Sequence, residues 1–346
     1  MHGRLRLSVC ANIDCKSFLS RQLNSLSLAI LRLLADGAFH SGEALAERLG
    51  VSRASIWQAL QGVEDYGVEL HSVRGKGYRL QQPIEWLDRD RVLAAIDAGM
   101  ATRLELQLLD CAESTNATLM RMAAQARTGT VLAAEWQSAG RGRLGRRWLA
   151  DLGGSLLFSL LWRFERGIAQ LSGLSLAVGV ALIRALQRAG IDDASLKWPN
   201  DVLWRGGKLA GILIEVSGDT LGPSQVVIGV GLNLRLGDRT SEGIDQPAAA
   251  LLQPGGVFLS RNHLLGCLLQ ELVRVLDGFA AGGFAALRDE WQRYHGLHGR
   301  PVRLIAPDGR TSLGVVAGVT DDGTLLLDEA GVLRQVHTGE LSLRGL

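Results

Sequence analysis

The chain has 346 residues, a net charge of +2, and 47% hydrophobic against 21% charged residues. That leaves room for about two or three soluble domains around a large core, and it excludes a bulk electrostatic pull towards nucleic acid or membrane. The four cysteines, Cys10, Cys15, Cys111 and Cys267, form no Cys-x-x-Cys pair, which excludes a zinc knuckle or disulfide framework and points to a reduced, cytoplasmic setting.

Residues 1–25 carry Arg4, Arg6 and Lys16 without a sustained apolar run, so they read as a disordered tail rather than a signal peptide. Residues 26–82 read as a winged helix-turn-helix. A helix over 28–34 ends at Asp36-Gly37. Ser41 caps a second helix, 42–49, closed by Gly50. Ser52 caps a third, 53–66, closed by Gly67. Two short strands then flank Arg74-Gly75-Lys76-Gly77, a basic wing tip. Ser52, Arg53, Ser55, Gln58 and Gln61 on the third helix, with Arg74 and Lys76 on the wing, are the candidate DNA-facing residues. Packing or protein contact is the other use of such a unit. Basic and acidic residues are equal in number over 25–82, so a single copy should bind DNA weakly, because phosphate contacts normally dominate affinity. Trp57, in the middle of the third helix, is expected to pack inward.

A linker over 83–88 leads into a mixed region that runs to about residue 296. Strands are expected over 104–109, 130–136, 155–162, 196–203, 208–216 and 225–233, with a hairpin turn at Gly206-Gly207. Helices are expected over 115–125, 174–188, 262–279 and 284–294. The uncharged stretch 167–183 is short and mild for a membrane span and reads as a loop and buried helix. Residues 297–346 alternate short strands with turns at Pro307-Asp308-Gly309 and Asp321-Asp322-Gly323, as a small SH3-like β-barrel does. The fold class is α+β: a winged helix-turn-helix, a central mixed sheet with helices on one side, and a terminal barrel.

Two segments of the central region carry chemistry. Gly140-Arg141-Gly142-Arg143-Leu144-Gly145-Arg146-Arg147-Trp148 interleaves arginines with glycines, as a loop that wraps a small anion would. It matches Gly-x-Gly-x-x-Gly, but no helix opens after it, which excludes the dinucleotide-fold reading. Such a loop should be mobile when empty. Lys197-Trp198-Pro199-Asn200-Asp201 places a cation, an indole, an amide and a carboxylate together, and Lys208-Leu209-Ala210-Gly211 follows. Together they suggest activation of a carboxylate by a nucleotide.

On these segments the chain resembles the bifunctional biotin–protein ligases that double as biotin-operon repressors, over nearly everything from residue 26 onward. The resemblance implies ATP-dependent formation of biotinyl-5'-adenylate and transfer of biotin to a lysine of a biotin carboxyl carrier protein domain. Arg143, Lys208 and Lys197 would hold carboxylate and phosphate together. Ser114, Thr115, Asn116 and Gln137 would bind the biotin head, with Gly140, Arg141, Gly142, Arg143, Lys208 and Gly211 along the rest of the molecule. Arg146, Trp148, Asn200, Asp201 and Asn233 would serve the nucleotide. Mg²⁺ would come with ATP, held mainly by phosphates, and the protein itself would supply no metal site. The resemblance further implies a homodimer when the adenylate is bound, operator DNA as a partner, and no membrane. Two alternatives stay open: a ligase whose N-terminal unit does not repress, and a lipoate ligase.

Overall fold

The computed structural model describes residues 23–244, 246–252, 259–305, 310–337 and 342–345. The tail reading for residues 1–25 and the turn at 307–309 therefore fall largely outside the described residues. Leu23, Asn24 and Ser25 do not: the Asn24 side chain accepts from Ser27 N and caps the first helix, α1 (Ser25–Leu33).

Helices α2 (Gly42–Leu49) and α3 (Arg53–Leu60) follow, capped by Ser41 and Ser52. The third helix is shorter than its sequence suggests. Gly62 adopts a left-handed φ of 82° and starts a separate 3-10 turn, Val63–Tyr66. Strands β1 (Leu70–Val73) and β2 (Gly77–Leu80) pair antiparallel as the wing. Leu28, Ile30, Leu31, Leu45, Ile56 and Leu60 are buried at the centre of this unit. The same apolar cluster continues into Leu152 and touches Cys111 and Trp136, so the N-terminal unit packs directly on the central one. Tyr66 anchors that joint: its ring meets Trp136 edge-on at 4.8 Å, and its carbonyl accepts from Leu152 N at 2.8 Å.

Short helices α4 (Arg89–Ala94) and α5 (Ala98–Ala101) lead into the central sheet. Its strands, with the helix α6 between the first two, are β3 (Glu105–Ala112), α6 (Thr115–Met122), β4 (Thr130–Gln137) and β5 (Ser155–Phe164). After α7 (Leu174–Arg188) come β6 (Ser195–Lys197), β7 (Asp201–Trp204), β8 (Gly207–Gly218) and β9 (Ser224–Asn233). The order is β3-β4-β5-β9-β8-β7-β6, with only β3 and β4 parallel. A short helix α8 (Asp238–Glu242) precedes α9 (Arg261–Gly282) and α10 (Arg288–Tyr294).

Alternation along β5 divides the core. Leu156, Phe158, Leu160 and Trp162 join the cluster of α7 and α9, while Leu161 joins that of α6. The long helices thus share one face, and α6 lies on the other, so the helices are not confined to one side. The stretch 167–183 is a 3-10 turn, Ile168–Leu171, followed by the first part of α7, where Ala177, Val178, Val180, Ala181 and Leu182 have no exposed surface.

Two local expectations change. Residues 196–203 are not one strand but the hairpin β6–β7, because Pro199 cannot donate to a ladder. Its register pairs Lys197 with Asp201. The turn between β7 and β8 is Arg205-Gly206, with φ of 47° and 82°, and Gly207 already pairs with Trp204.

The terminal unit is a five-stranded antiparallel sheet of β10 (Pro301–Ile305), β11 (Thr311–Val319), β12 (Leu325–Glu329), β13 (Val332–Val336) and β14 (Ser342–Gly345). Its order is β13-β12-β11-β10-β14. Trp198 ties this sheet to the site hairpin: the indole is fully buried and donates to Gly323 O at 3.1 Å.

Candidate functional site

One cavity of about 490 Å³ opens between the sheet, the arginine loop and the β6–β7 turn. Ser114, Thr115, Asn116 and Gln137 line one part of it, and Arg141, Gly142, Arg143, Arg146 and Trp148 another. Lys197, Asn200, Asp201, Lys208, Gly211 and Asn233 complete the group that the sequence selects. Of the expected ligand residues only Gly140 lies outside the wall. It is buried beneath the loop, where an added Cβ would stand 2.5 Å from Trp148 O.

The polar end is built at the start of α6. Ser114 is its N-cap, accepting from Ala117 N at 3.4 Å. Thr115 donates from its backbone N and its hydroxyl to Gln137 Oε1, at 2.7 and 3.2 Å. Asn116 donates to Glu215 Oε2 at 2.9 Å and Leu213 O at 3.2 Å, and its Oδ1 lies 2.6 Å from Ser159 Oγ. Ser114, Thr115 and Asn116 are each buried. Short, fixed donors and acceptors in an apolar wall suit a compact polar head such as a ureido ring.

The loop over 140–148 is a narrow hairpin. Trp148 N donates to Gly140 O at 2.8 Å, and Gly142 N donates to Arg146 O at 2.7 Å. Leu144 and Gly145 turn it with φ of 61° and 69°. The loop meets a carboxylate of the chain. Arg141 pairs with Glu215 at 3.0 Å, the same carboxylate that Asn116 contacts.

Arg143 donates to Asn200 Oδ1 at 3.3 Å. Burial weighs against its charge; Asp201 works the other way, and Arg146 adds repulsion, so its pKa lies below the usual arginine value. Asn200 is fixed in turn, donating to Ile212 O at 2.9 Å. Asp201 sits between two ammonium groups, Lys208 at 2.6 Å and Lys197 at 3.6 Å. Three cations around one carboxylate leave a surplus of positive charge in a partly desolvated space. That is a preorganised setting for phosphate oxygens.

The far wall is glycine. Gly211 and Gly231 are register partners on β8 and β9, and the Trp148 indole lies against both. Lys208 Nζ stands 5.6 Å from the centre of that ring. Asn233 Nδ2 donates to Ala249 O and Lys208 O, while its buried Oδ1 has no partner among the described residues. An unused acceptor in the cavity wall fits a ligand amine.

Sequence reasoning missed several members. Glu215 and Ser159 hold Asn116, and Gly229 makes space for it. Gly243, Ile244, Gln246, Ala248 and Leu343 reach the wall from distant segments. Glycines at alternate positions, Gly229 and Gly231, were a readable signal, since glycine inside a strand marks a close approach.

No group of three or more metal-ligating side chains exists among the described residues. On the N-terminal unit, Arg53, Gln58, Gln61, Arg74 and Lys76 are exposed, Ser55 is half-buried, and the Ser52 hydroxyl caps α3. Trp57 does not pack inward.

Three family profiles match the chain. They are an HTH domain over residues 27–79, the biotin/lipoate A/B protein ligase family over 108–233, and the biotin protein ligase C-terminal domain over 297–344. The bifunctional ligase/repressor BirA of Salmonella typhimurium is 39% identical over 92% of this chain and 98% of the relative. Its Escherichia coli counterpart is 38% identical over 93% and 98%. Among solved structures, a biotin protein ligase from Aquifex aeolicus in complex with biotin and ATP superposes with a TM-score of 0.60. It is 28% identical, over 70% of this chain and 99% of that one.

Proposed function

Since this chain belongs to the biotin–protein ligase family of bifunctional ligase/repressors, we propose that it joins biotin to an acceptor lysine at the expense of ATP and represses transcription through its N-terminal unit. The observation that carries the ligase reading is that one cavity holds polar head-binding groups at one end, Arg143, Lys197 and Lys208 in the middle, and Trp148 with the unused Asn233 acceptor beyond.

A carboxylate oxygen of biotin attacks the α-phosphorus of ATP, and the bond to pyrophosphate breaks. Charge grows on the phosphate oxygens, and Arg143, Lys197 and Lys208 are the residues that meet it. Asp201 holds both lysine ammonium groups in place, which removes the need to reorganise them during the reaction. Asn233 Oδ1 accepts from the adenine amine, and Trp148 packs on the base. The acceptor amine then attacks the carbonyl carbon of the mixed anhydride and AMP leaves. The arginine hairpin keeps water off the anhydride until that step. Mg²⁺ supplies further charge neutralisation when it arrives on ATP. Asp201, the cavity carboxylate, is already paired with both lysines, so the ion would be held mainly through the phosphates of the nucleotide.

The chain works in the cytoplasm, with residues 26–82 as the DNA-binding part, 83–296 as the ligase and 297–346 as the terminal barrel. A biotin carrier domain is the acceptor. The adenylate-bound form dimerises and so engages two half-sites, which offsets the balanced charge of one N-terminal unit.

The test is pyrophosphate release with Mg-ATP and either biotin or lipoate. Biotin dependence supports the ligase, and a preference for lipoate overturns it. Anisotropy titration of the promoter of the organism's biotin-synthesis genes, with and without biotin plus Mg-ATP, tests the repressor. Ligand-dependent tightening is expected, and its absence in a sample that makes adenylate would leave a ligase alone.

A further inference from the structure

The exposed arc of α3 is continuous. Arg53 and Trp57 follow one another at an interval of four residues, Ala54 and Gln58 border them, and Gln61, the extended C-cap, donates from its side chain to Trp57 O at 3.3 Å. Ile56, Ala59 and Leu60 point the other way, into the core of the N-terminal unit. Trp57 is therefore central to the outer face, and 58% of its surface is exposed. More than half of this large apolar side chain is therefore left facing solvent.

The surroundings favour one class of partner. No acidic residue lies on α3 or at the wing tip, where Arg53, Arg74 and Lys76 are exposed. A protein partner would need to match an aromatic ring set among amides and cations, whereas duplex DNA offers phosphates to the cations and base edges to the amides. In a helix-turn-helix the second helix of the pair enters the major groove, and the apolar feature there is the thymine C5-methyl group. The N-terminal unit as a whole has no charge surplus to bind phosphates strongly, so base contacts must supply more of the discrimination.

We infer that Trp57 lays its indole on a thymine C5-methyl group in the major groove and thereby sets the base preference of each half-site. The inference rests on the reading of residues 26–82 as DNA-binding. Gln58, the next exposed residue on the helix, is placed to read adenine on a neighbouring pair.

The test starts from a random duplex library, selected with the full chain in biotin plus Mg-ATP, for the wild type, Trp57→Ala and Trp57→Phe. The wild-type pool is expected to show a thymine at one position in each half-site. The Trp57→Ala pool should lose that position and keep the others, and Trp57→Phe, which retains an apolar ring, should keep it. Replacing that thymine by deoxyuridine removes only the methyl group. Wild-type affinity should fall about tenfold, within the usual cost of one lost base contact, and Trp57→Ala affinity should not change. Identical pools, or equal losses for both proteins on deoxyuridine, would overturn the inference and leave DNA binding intact. A wild-type pool without any enriched sequence would overturn the DNA-binding reading and this inference with it.

Discussion

Two glycines on one strand should separate the two substrates. Gly229 and Gly231 face the same side of β9, two residues apart. A Cβ at Gly231 would stand 2.4 Å from Trp148 Cε2 and 2.8 Å from its Nε1. Ordinary contact begins at 3.4 Å, so the ring must move by about 1 Å. Strand β9 cannot yield, because it is hydrogen-bonded on both sides, to β5 and β8. The loop carrying Trp148 yields instead. A Cβ at Gly229 would stand 2.2 Å from Asn116 Oδ1, and the displaced amide must disturb its contacts with Ser159, Glu215 and Leu213. Overpacking of this kind costs about 1–3 kcal/mol, and a disturbed hydrogen bond about 1 kcal/mol more. Gly231→Ala should therefore raise the KM for ATP about tenfold with little change for biotin. Gly229→Ala should raise the KM for biotin about thirtyfold with little change for ATP. Steady-state pyrophosphate release, with each substrate varied in turn, measures both. If the two substitutions raise the same KM, or exchange their effects, the assignment of the two ends of the cavity is wrong.

His295 is buried against Trp291, with ring centroids 4.5 Å apart, and burial, with a smaller contribution from His298, pushes its pKa down to about 3. A depressed folded value means that its contribution is complete above the unfolded value near 6.5 and is lost as pH falls towards 3. Between pH 7.5 and 5 that is about 2 kcal/mol. Urea midpoints should fall more for the wild type than for His295→Phe over that range, and parallel curves would refute the link. Arg143→Gly removes a charge-assisted contact of about 1.5–3 kcal/mol, so adenylate release should accelerate at least tenfold and bystander lysines should become labelled. Unchanged adenylate retention, followed by chromatography, would show that the hairpin does not seal the site. Glu215→Gln removes the charge partner of Arg141 in a half-exposed pair, worth about 1 kcal/mol at most, so the KM for biotin should rise about fivefold or less. A hundredfold rise would assign Glu215 a direct contact with substrate.

The site was legible where it is local in sequence. Arginines spaced by glycines, a Ser-Thr-Asn run at a helix start and a Lys-Trp-Pro-Asn-Asp segment each state their chemistry within a few residues. Glu215 and Ser159 were not legible as site members, because each acts through Asn116, which reaches them across separate elements. The helix break at Gly62 was missed because a single glycine inside an apolar pattern is tolerated as often as it terminates. Trp57 was misread because burial was inferred from residue type, whereas its place on the wheel, four residues after Arg53 and beside Gln58, sets it outward.

By itself the sequence determined the order of three units, most of the elements and the residue types around the reacting groups. These depend on short-range patterning: caps, periodicity and turn residues. Only the tertiary structure decided which residues share a wall. Register on the central sheet sets Gly211 beside Gly231 and seats Trp148 on both, and the β6–β7 hairpin turns Lys197 and Asp201 towards Lys208. The Trp198 indole then fastens that hairpin to the terminal sheet at Gly323. Contacts of this kind join positions far apart in the chain, and no local pattern encodes the register that brings them together.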